Sequence, residues 1–232
     1  MTLLSTRGLS KHFDGLVAVD DVDFDLPQGE VRALIGPNGA GKTTLVGMIC
    51  GRIEPSSGAI HFGGRDITRL PAHRRIMAGM AYTFQITSVF PGLPVRENVA
   101  LAARRHKRGP DAVEEALARV GLEGRIDQEA GDLSYGHQRL LEIAMGLVQA
   151  PRLLILDEPT QGLSEGEIAD FKTLVRALAG ETTILLIEHN MSVVMELADR
   201  VTVLNFGSVL AEGTPAQVRG DAHVQAAYLG TG

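Results

Sequence analysis

The chain has 232 residues, 44% of them hydrophobic, and a single cysteine, Cys50, so one large domain or two small ones can bury a core without an internal disulfide. Its net charge of −6 argues against a protein that coats nucleic acid, because phosphate contacts require an excess of lysine and arginine. No apolar run reaches the roughly 18 residues of a membrane helix and no signal-peptide core is present, so we expect a cytosolic protein.

The order of the apolar segments predicts the fold. The N-terminal third alternates apolar stretches with turns and is predicted to be rich in strands: LLSTRGLSKHF, VDFDL, VRALIG and GAIHFGG. The section from about Leu93 to Val148 has a mostly helical pattern. Beyond it, the segments RLLILDEP, TTILLIEH and RVTVLNFGSVLAEG alternate with helices that begin near Ser164 and Asn190. This alternation predicts an α/β fold with a mostly parallel sheet, interrupted by an inserted helical subdomain.

The first chemical motif is GPNGAGKTT, which follows the apolar strand VRALI and begins a helix. It matches the spacing G-x-x-x-x-G-K-S/T of a phosphate loop. Glycines let backbone amides curl round phosphate oxygens, Lys42 supplies a positive charge at the β- and γ-phosphates with a role in catalysis, and the Thr43 hydroxyl can bind Mg²⁺. A glycine-rich turn that only connects strand to helix is the disfavoured alternative. The predicted nucleotide-binding residues here are Gly36, Pro37, Asn38, Gly39, Ala40, Gly41, Lys42, Thr43 and Thr44.

The segment LSYGHQRLLEIAMGL, residues 133–147, predicts a helix with an exposed start. Its apolar residues follow helical spacing, Ser134 occupies the N-cap position, and Gly136 leaves the first turn bare. A helix start with little side-chain cover is a ready anion site. The residues alone do not say which anion binds there or which chain holds it.

Two acids follow the apolar strand of RLLILDEPT. Asp157 and Glu158 come at its carboxyl end, where open parallel sheets bind ligands. We predict that Asp157 holds Mg²⁺, directly or through water, and that Glu158 polarises the attacking water. Two acids that only cap a turn before Pro159 are the structural alternative, which the neighbouring phosphate loop disfavours.

His189 ends the apolar strand TILLIEH. A lone histidine at a strand end is more often structural, but here it is a third polar residue at the end of a strand of the same sheet. It can hydrogen-bond the γ-phosphate and the water that Glu158 orients. The histidines without such a context are interpreted as surface or packing residues: His12, His61, His73, His106 and His223.

The combination of GPNGAGKTT, LSYGHQ, LILDEPT and the strand-end histidine resembles the ATP-binding subunit of ABC transporters over essentially the whole chain. The resemblance implies a P-loop NTPase core with an N-terminal antiparallel β region, and ATP and Mg²⁺ as cofactors. It implies one ABC ATPase domain over 1–232, with a catalytic core at about 1–92 and 149–232 and a helical signature subdomain at 93–148. It also implies that Ser134, Gly136 and His137 bind the γ-phosphate of an ATP held by the partner subunit.

Further family elements map onto this sequence by position. Phe13 is similar to the aromatic residue that stacks on adenine, with a core phenylalanine as the alternative. Gln85 resembles the glutamine that contacts Mg²⁺ and the water and couples the helical subdomain to the phosphate. The segment after it resembles the surface that grips the membrane subunit, where Phe90, Leu93 and Val95 supply apolar contacts unless they pack in the core.

Within that family, the chain looks most like the ATPases of branched-chain amino acid importers and their urea and amide relatives. Three segments carry this resemblance: the run TFQ…F…L.V.ENV, the LEIA after the signature and the ending HVQAAYLG. This implies transmembrane permease subunits, a second ATPase subunit (identical or a paralogue), a periplasmic or extracellular solute-binding protein, no nucleic acid, and a position on the cytoplasmic face of the cell membrane. Alternatives are the ATPase of a lipopolysaccharide exporter, with a similar YLG ending, and a non-transport ABC ATPase. The single ATPase unit, the lack of heptads and the negative charge argue against the last.

The sequence departs from the family pattern in three places. Tyr135 and His137 replace the glycine and glutamine of the usual LSGGQ signature, while its serine and second glycine are kept. Ser164 stands where the family usually has an aspartate, which weakens a cross-dimer contact there. The helical insert between 100 and 132 is short. It carries a basic run that we interpret as a solvated face, with a lipid-facing or permease-facing role as the alternative: Arg104, Arg105, Lys107 and Arg108.

Overall fold

The computed structural model describes residues 1–83 and 88–229, so Gln85 lies outside the described residues. Its strands are β1 (Thr2–Phe13), β2 (Leu16–Pro27), β3 (Val31–Ile35), β4 (Ser57–Phe62), β5 (Arg65–Asp66), β6 (Met80–Thr83), β7 (Leu153–Asp157), β8 (Thr183–Ile187), β9 (Arg200–Asn205) and β10 (Ser208–Gly213). Its α-helices are α1 (Lys42–Ile49), α2 (Ala72–Met77), α3 (Val95–Arg104), α4 (Pro110–Arg119), α5 (Tyr135–Leu147), α6 (Glu165–Leu178), α7 (Met191–Leu197), α8 (Pro215–Gly220) and α9 (Ala222–Leu229). Short 3-10 turns at Glu123–Arg125 and Ala130–Asp132 precede α5.

The larger sheet has the strand order β10-β9-β3-β8-β7-β6, and its pairs are parallel except for β10 with β9. Every residue of β3, β7 and β8 is buried, which explains their mostly apolar sequences. The pairs Leu34 with Ile187 and Asp157 with Ile187 align the carboxyl ends of these strands. The loops that follow them therefore emerge side by side at one edge of the sheet, where ligands bind in this class of fold.

The second sheet is antiparallel, with the order β2-β1-β4-β5. Its long hairpin turns through Asp14 and Gly15, whose φ values of 40° and 95° suit the tight two-residue turn that an Asp-Gly pair favours. The predicted mostly parallel sheet and N-terminal antiparallel β region are both confirmed.

The helical middle section consists of α3, α4 and α5, as the sequence pattern predicts. Its buried residues, such as Leu117 and Leu141, belong to the same hydrophobic cluster as Leu154 and Leu156 of β7. The alternate β7 residues face a second cluster formed with α1 and the antiparallel sheet. Among the described residues, none of the helices has the length and apolar character to cross a bilayer.

Candidate nucleotide-binding site

Two glycines of the phosphate loop lie directly against backbone carbonyls. A Cβ on Gly36 would lie 2.2 Å from the Leu204 oxygen, and one on Gly41 would lie 2.4 Å from the Ala18 oxygen. Both have positive φ values, 154° and 98°, which also favour glycine. Gly39 has a φ of 79° but no atom within 4 Å of its ideal Cβ position. The sequence predicts that these glycines contact phosphate, and the structure adds that the fold itself excludes a side chain at Gly36 and Gly41.

A cleft of about 430 Å³ opens at this loop. It is lined by Phe13, Leu16, Val17, Ala18, Asn38, Gly39, Ala40, Gly41, Lys42, Thr43, Thr44 and Glu158. The Phe13 side chain is 41% exposed, and the Lys11 ammonium lies 4.9 Å from its ring centroid. Phe13 is therefore not a core residue, which leaves its predicted contact with adenine open to test.

Lys42 begins α1 and lies inside the loop. Its ammonium donates to the carbonyls of Gly36 at 2.7 Å and Pro37 at 3.0 Å. Burial lowers the pKa of Lys42, and the nearby carboxylates of Glu158 and Asp157 oppose that shift. The N-cap of α1 is Gly41, which has no side chain to cap the helix. The helix start thus presents backbone N–H groups and a cation together, as a phosphate requires.

Asp157 is only 5% exposed. Burial raises the pKa of its carboxyl group, while a hydrogen bond from the Tyr82 hydroxyl to Oδ2 lowers it. Arg52 in turn donates to the Tyr82 oxygen at 3.0 Å and stacks its guanidinium 4.3 Å from the ring centroid. Tyr82 is not predicted from the sequence, because nothing in its local pattern indicates a partner 75 residues away.

Glu158 and His189 lie close together at the edge of the sheet. Glu158 Oε1 is 3.8 Å from His189 Nδ1, with Glu158 20% and His189 58% exposed. The Glu158 backbone has a φ of 47°, which is strained for a residue with a side chain, and its N–H donates to the Ile187 carbonyl at 2.9 Å. The structure therefore brings together the two groups that the sequence assigned to the attacking water.

The predicted anion site at the start of α5 has a different setting. Ser134 is the N-cap, and its hydroxyl accepts from the His137 N–H at 3.3 Å and lies 2.7 Å from His137 Nδ1. A Cβ on Gly136 would lie 2.0 Å from Glu167 Oε1, so this turn packs tightly against α6. None of these signature residues is among those that line the phosphate-loop cleft.

Comparison with known proteins identifies the family. The family model for ABC transporters matches residues 19–161, more than half of the chain. The chain belongs to the ABC transporter family. The predicted resemblance and the ATPase class of the enzyme are thereby confirmed. A second model, described as a branched-chain amino acid ATP-binding cassette transporter, matches residues 208–232.

Several relatives of this ABC ATPase match nearly its whole length. It is 39% identical, over 98% of both chains, to the high-affinity branched-chain amino acid transport ATP-binding protein BraF of Pseudomonas aeruginosa and to LivG of Escherichia coli. It is 35% identical to the lipopolysaccharide export system ATP-binding protein LptB of Acidithiobacillus ferridurans, over 98% of this chain and 97% of the relative.

Solved ABC cassettes have the same fold. A nucleotide-free ATP-binding cassette from an ABC transporter superposes with a TM-score of 0.88 at 30% identity, over 98% of this chain and 99% of that one. The ADP conformation of the ATP-binding cassette MJ1267 gives a TM-score of 0.88 at 29% identity over 99% of both chains. These similarities confirm the predicted fold class.

The residues that depart from the family pattern make contacts with nearby residues. Ser164 caps α6: its hydroxyl accepts from the Glu167 N–H at 3.4 Å, and Glu167 Oε2 accepts from the Ser164 N–H at 2.9 Å. Tyr135 is 43% exposed and lies against Gly162.

The predicted basic run is exposed. Of the apolar residues predicted to contact the membrane subunit, Phe90 is 51% exposed, Leu93 is half-buried, and Val95 is fully buried in the core.

Proposed function

We propose that this ABC ATPase hydrolyses ATP to drive import of branched-chain amino acids, or of a related small amide or urea solute, through a separate membrane permease. The observation that carries the hydrolytic part is one cleft lined by an exposed aromatic ring, a phosphate loop and Glu158. The importer part is supported by the match at residues 208–232 and by the 39% identical relatives.

In this proposal the cleft binds ATP. The exposed face of Phe13 stacks on the adenine ring. Backbone N–H groups of the loop and the first turn of α1 surround the phosphates, with the Lys42 ammonium at the β- and γ-phosphates. The short contacts of Lys42 with the loop carbonyls support this role, because they hold the cation inside the cradle.

The residues present also suit Mg²⁺. In nucleotide sites this ion is bound by one or two carboxylates together with substrate phosphates, so it needs no dedicated protein cage. The described part of the chain has no group of three or more metal-ligating side chains, which agrees with such a shared site. We propose the Thr43 hydroxyl, the Asp157 carboxylate and Gln85 as its protein ligands. When bound, the ion neutralises charge on the phosphates.

Hydrolysis requires a positioned water. We propose that Glu158 accepts a hydrogen bond from the attacking water and draws its proton, while His189 hydrogen-bonds the γ-phosphate and the same water. The separation of 3.8 Å between the two side chains supports this shared task, since one water can contact both.

The signature turn acts on another subunit's nucleotide in this proposal. Ser134, Gly136 and His137 line no part of the cleft that their own chain forms, which supports a role at the ATP of a second ATPase subunit, identical or a paralogue. Two ATP molecules would then lie between two subunits. ATP binding favours the closed pair, and hydrolysis releases it.

The permease contact is proposed at the segment before α3. The buried Asn98 holds that segment in place: its Oδ1 accepts from the Phe90 N–H at 2.7 Å, and its amide donates to the carbonyls of Phe90, Leu93 and Pro94. Phe90 is thus presented firmly at the surface. We propose Phe90 and Leu93 as contact residues and leave out Val95, because it is buried. The permease would hold the chain at the cytoplasmic face of the cell membrane. Residues 93–148 would transmit motion between the ATPase and the permease. The solute-binding protein would lie on the opposite side of the membrane.

A second candidate function is lipopolysaccharide export, which the 35% identity to LptB favours. The two candidates share the ATP chemistry and differ only in the cargo of the permease. Cargo measurements therefore separate them.

The test uses the chain assembled with its permease in proteoliposomes, with the solute-binding protein present. We expect ATP-dependent uptake of radiolabelled leucine or urea together with phosphate release. Glu158→Gln should lower both by about 10² to 10⁴-fold, the usual worth of a positioned general base, and still bind ATP. Glu165→Gln changes an exposed carboxylate at the start of α6 and should leave both unchanged. ATP-driven lipopolysaccharide release without uptake would transfer the proposal to export, and no phosphate release from the wild type would reject it.

A further inference from the structure

A buried carboxylate that the proposed mechanism does not use lies between the two catalytic loops. Glu188 follows β8 directly and is only 1% exposed. A buried carboxylate is costly unless it is well hydrogen-bonded. The partners of Glu188 therefore indicate what the residue is for.

One of its oxygens binds the turn that carries Glu158. Glu188 Oε1 accepts from the Thr160 hydroxyl at 2.6 Å and from the Thr160 N–H at 3.1 Å. Thr160 is itself 5% exposed and stands two residues after Glu158. This oxygen thus anchors the segment on which the predicted general base lies.

The other oxygen binds the loop that carries His189. Glu188 Oε2 accepts from the N–H groups of His189 and Asn190, both at 3.1 Å. Asn190 continues this structure as the N-cap of α7, where its side chain accepts from the Ser192 N–H at 3.1 Å. The backbone of His189 is therefore fixed on both sides.

The location of these bonds is specific. The paired residues of β7 and β8 end at Asp157 with Ile187, and the Glu158 N–H to Ile187 carbonyl bond is the next contact beyond them. Past that point the Glu188 carboxylate joins the two chain segments in place of backbone pairing. Hydrogen bonds to an ionised acceptor are roughly twice as strong as neutral ones, so this single side chain can hold two loops together.

We propose that Glu188 is a positioning residue that sets the separation of Glu158 and His189 for attack on the γ-phosphate. In this role it acts through the two loops that it joins and transfers no proton. The inference rests on the proposed ATP hydrolysis and extends it to a residue outside the family motifs quoted above. Because a displacement of about 1 Å in a catalytic group can cost about 10²-fold in rate, a loosened bridge should reduce turnover and spare nucleotide binding.

The main experiment measures Glu188→Gln in the permease assembly. An amide in this place must turn its NH₂ group toward N–H donors of one of the two loops. We expect kcat to fall by about 10- to 100-fold, with equilibrium ATP affinity within about 2-fold of wild type, because the phosphate loop is unchanged. A folded variant with wild-type kcat overturns the proposal, and so does a loss of ATP affinity that matches the loss of rate.

Thr160 supplies a gentler pair of variants for the case in which Glu188→Gln is poorly folded. Thr160→Val removes the hydroxyl donor and keeps the N–H, so we expect a smaller loss of kcat, about 3- to 10-fold, because three of the four hydrogen bonds to the Glu188 carboxylate remain. Thr160→Ser keeps the donor and should restore most of the rate. Equal rates in the valine and serine variants would contradict the bridge.

A double-mutant cycle tests the route of action. Because Glu188 is proposed to set the separation of Glu158 and His189, Glu188→Gln should cost clearly less kcat in a His189→Ala background than in the wild type. The same fold-loss in both backgrounds would overturn the proposal in favour of a general structural role. The hydrolysis rate of Glu158→Gln gives the background rate of the assay.

Amide hydrogen exchange separates this inference from the proposed function, because it needs no turnover. In Glu188→Gln the amides of Thr160, His189 and Asn190 should exchange faster, while the phosphate-loop amides stay as in wild type. Unchanged exchange at the three amides refutes the bridge. Faster exchange there, with a wild-type chain that does not hydrolyse ATP, keeps the bridge and rejects the catalytic purpose assigned to it.

Discussion

The phosphate loop and the start of α5 are both predicted to bind phosphate, yet the fold holds them by different means. The loop is held by backbone atoms, because Gly36 and Gly41 lie against the carbonyls of Leu204 and Ala18. The start of α5 is held by polar side chains, with His137 on Ser134 and Glu167 against Gly136. A glycine packed against a backbone carbonyl cannot be substituted without a clash, whereas a contact between side chains can be replaced by another pair of residues or altered by pH. The two departures of this sequence from the family signature, Tyr135 and His137, lie at the start of α5, where side chains make the contacts.

The largest expected effect tests whether these two regions act on the same ATP. Ser134→Arg blocks the signature turn and Lys42→Ala blocks the loop, so each pure variant should lose at least about 10²-fold in hydrolysis. In a mixed head-to-tail dimer, one site combines both defects and the other is intact. Equimolar mixing should therefore restore hydrolysis, measured as phosphate release from the assembled transporter.

The control for that mixture is the isolated mixed dimer of wild type with Lys42→Ala, which reports whether one intact site is sufficient. If that control is active while the two variants never complement each other in verified mixed dimers, each signature serves its own chain. Where the natural assembly contains a paralogous ATPase, one chain carries the substitution that blocks the signature and the other chain carries the one that blocks the phosphate loop.

The next effect concerns the rigidity of the loop. Gly36→Ala forces a Cβ to 2.2 Å from a backbone oxygen, so we expect a loss of about 3 kcal/mol or more in the free energy of unfolding. Gly39→Ala meets no atom and should lose only the roughly 1–2 kcal/mol of a left-handed residue with a side chain. Urea denaturation measures both. Similar losses would mean that conformation alone, and not backbone contact, requires glycine at Gly36.

A smaller effect is expected at His137. His137→Ala removes the partner of the Ser134 hydroxyl, so ATP-driven dimerisation should weaken by about 3- to 10-fold, the net worth of one hydrogen bond. Affinity of the monomer for ATP should not change. His137→Gln introduces the residue that is usual in the family and should behave like wild type in analytical ultracentrifugation with ATP. A glutamine variant as weak as the alanine variant would show that imidazole itself is required.

The smallest effect is a pH-dependent one at Ser164. Its hydrogen bonds lower the pKa of Glu167 below the ordinary 4.5, so their stabilisation is present above that pH and is lost as the pH falls through the lowered value. Ser164→Ala should lower Tm by about 2–4 °C at neutral pH, as for a lost N-cap. The difference should shrink in acid, and Ser164→Thr should retain the cap. A deficit that grows on acidification would contradict this origin.

Contiguous patterns predicted most of the fold and the candidate site. The phosphate loop, the strand before Asp157 and the capped starts of α5, α6 and α7 each lie within one short segment, so their residue order carries the information. Contacts between distant segments were not predictable in the same way. Arg75 of α2 donates to the carbonyls of Met48 and Ile49 at the end of α1, yet no local pattern indicated α2 or its buried arginine. The links from Tyr82 to Asp157 and from Glu188 to Thr160 belong to the same class.

The hydrophobic cluster shared by α4, α5 and β7 also has a mechanical consequence. Packed interiors are stiff and transmit strain, and this one includes Leu117 of α4, Leu141 of α5, and Leu154 and Leu156 of β7. The last of these leucines precedes Asp157 in the chain. A load applied to α4 would therefore reach, through close packing, the strand end that bears Asp157 and Glu158.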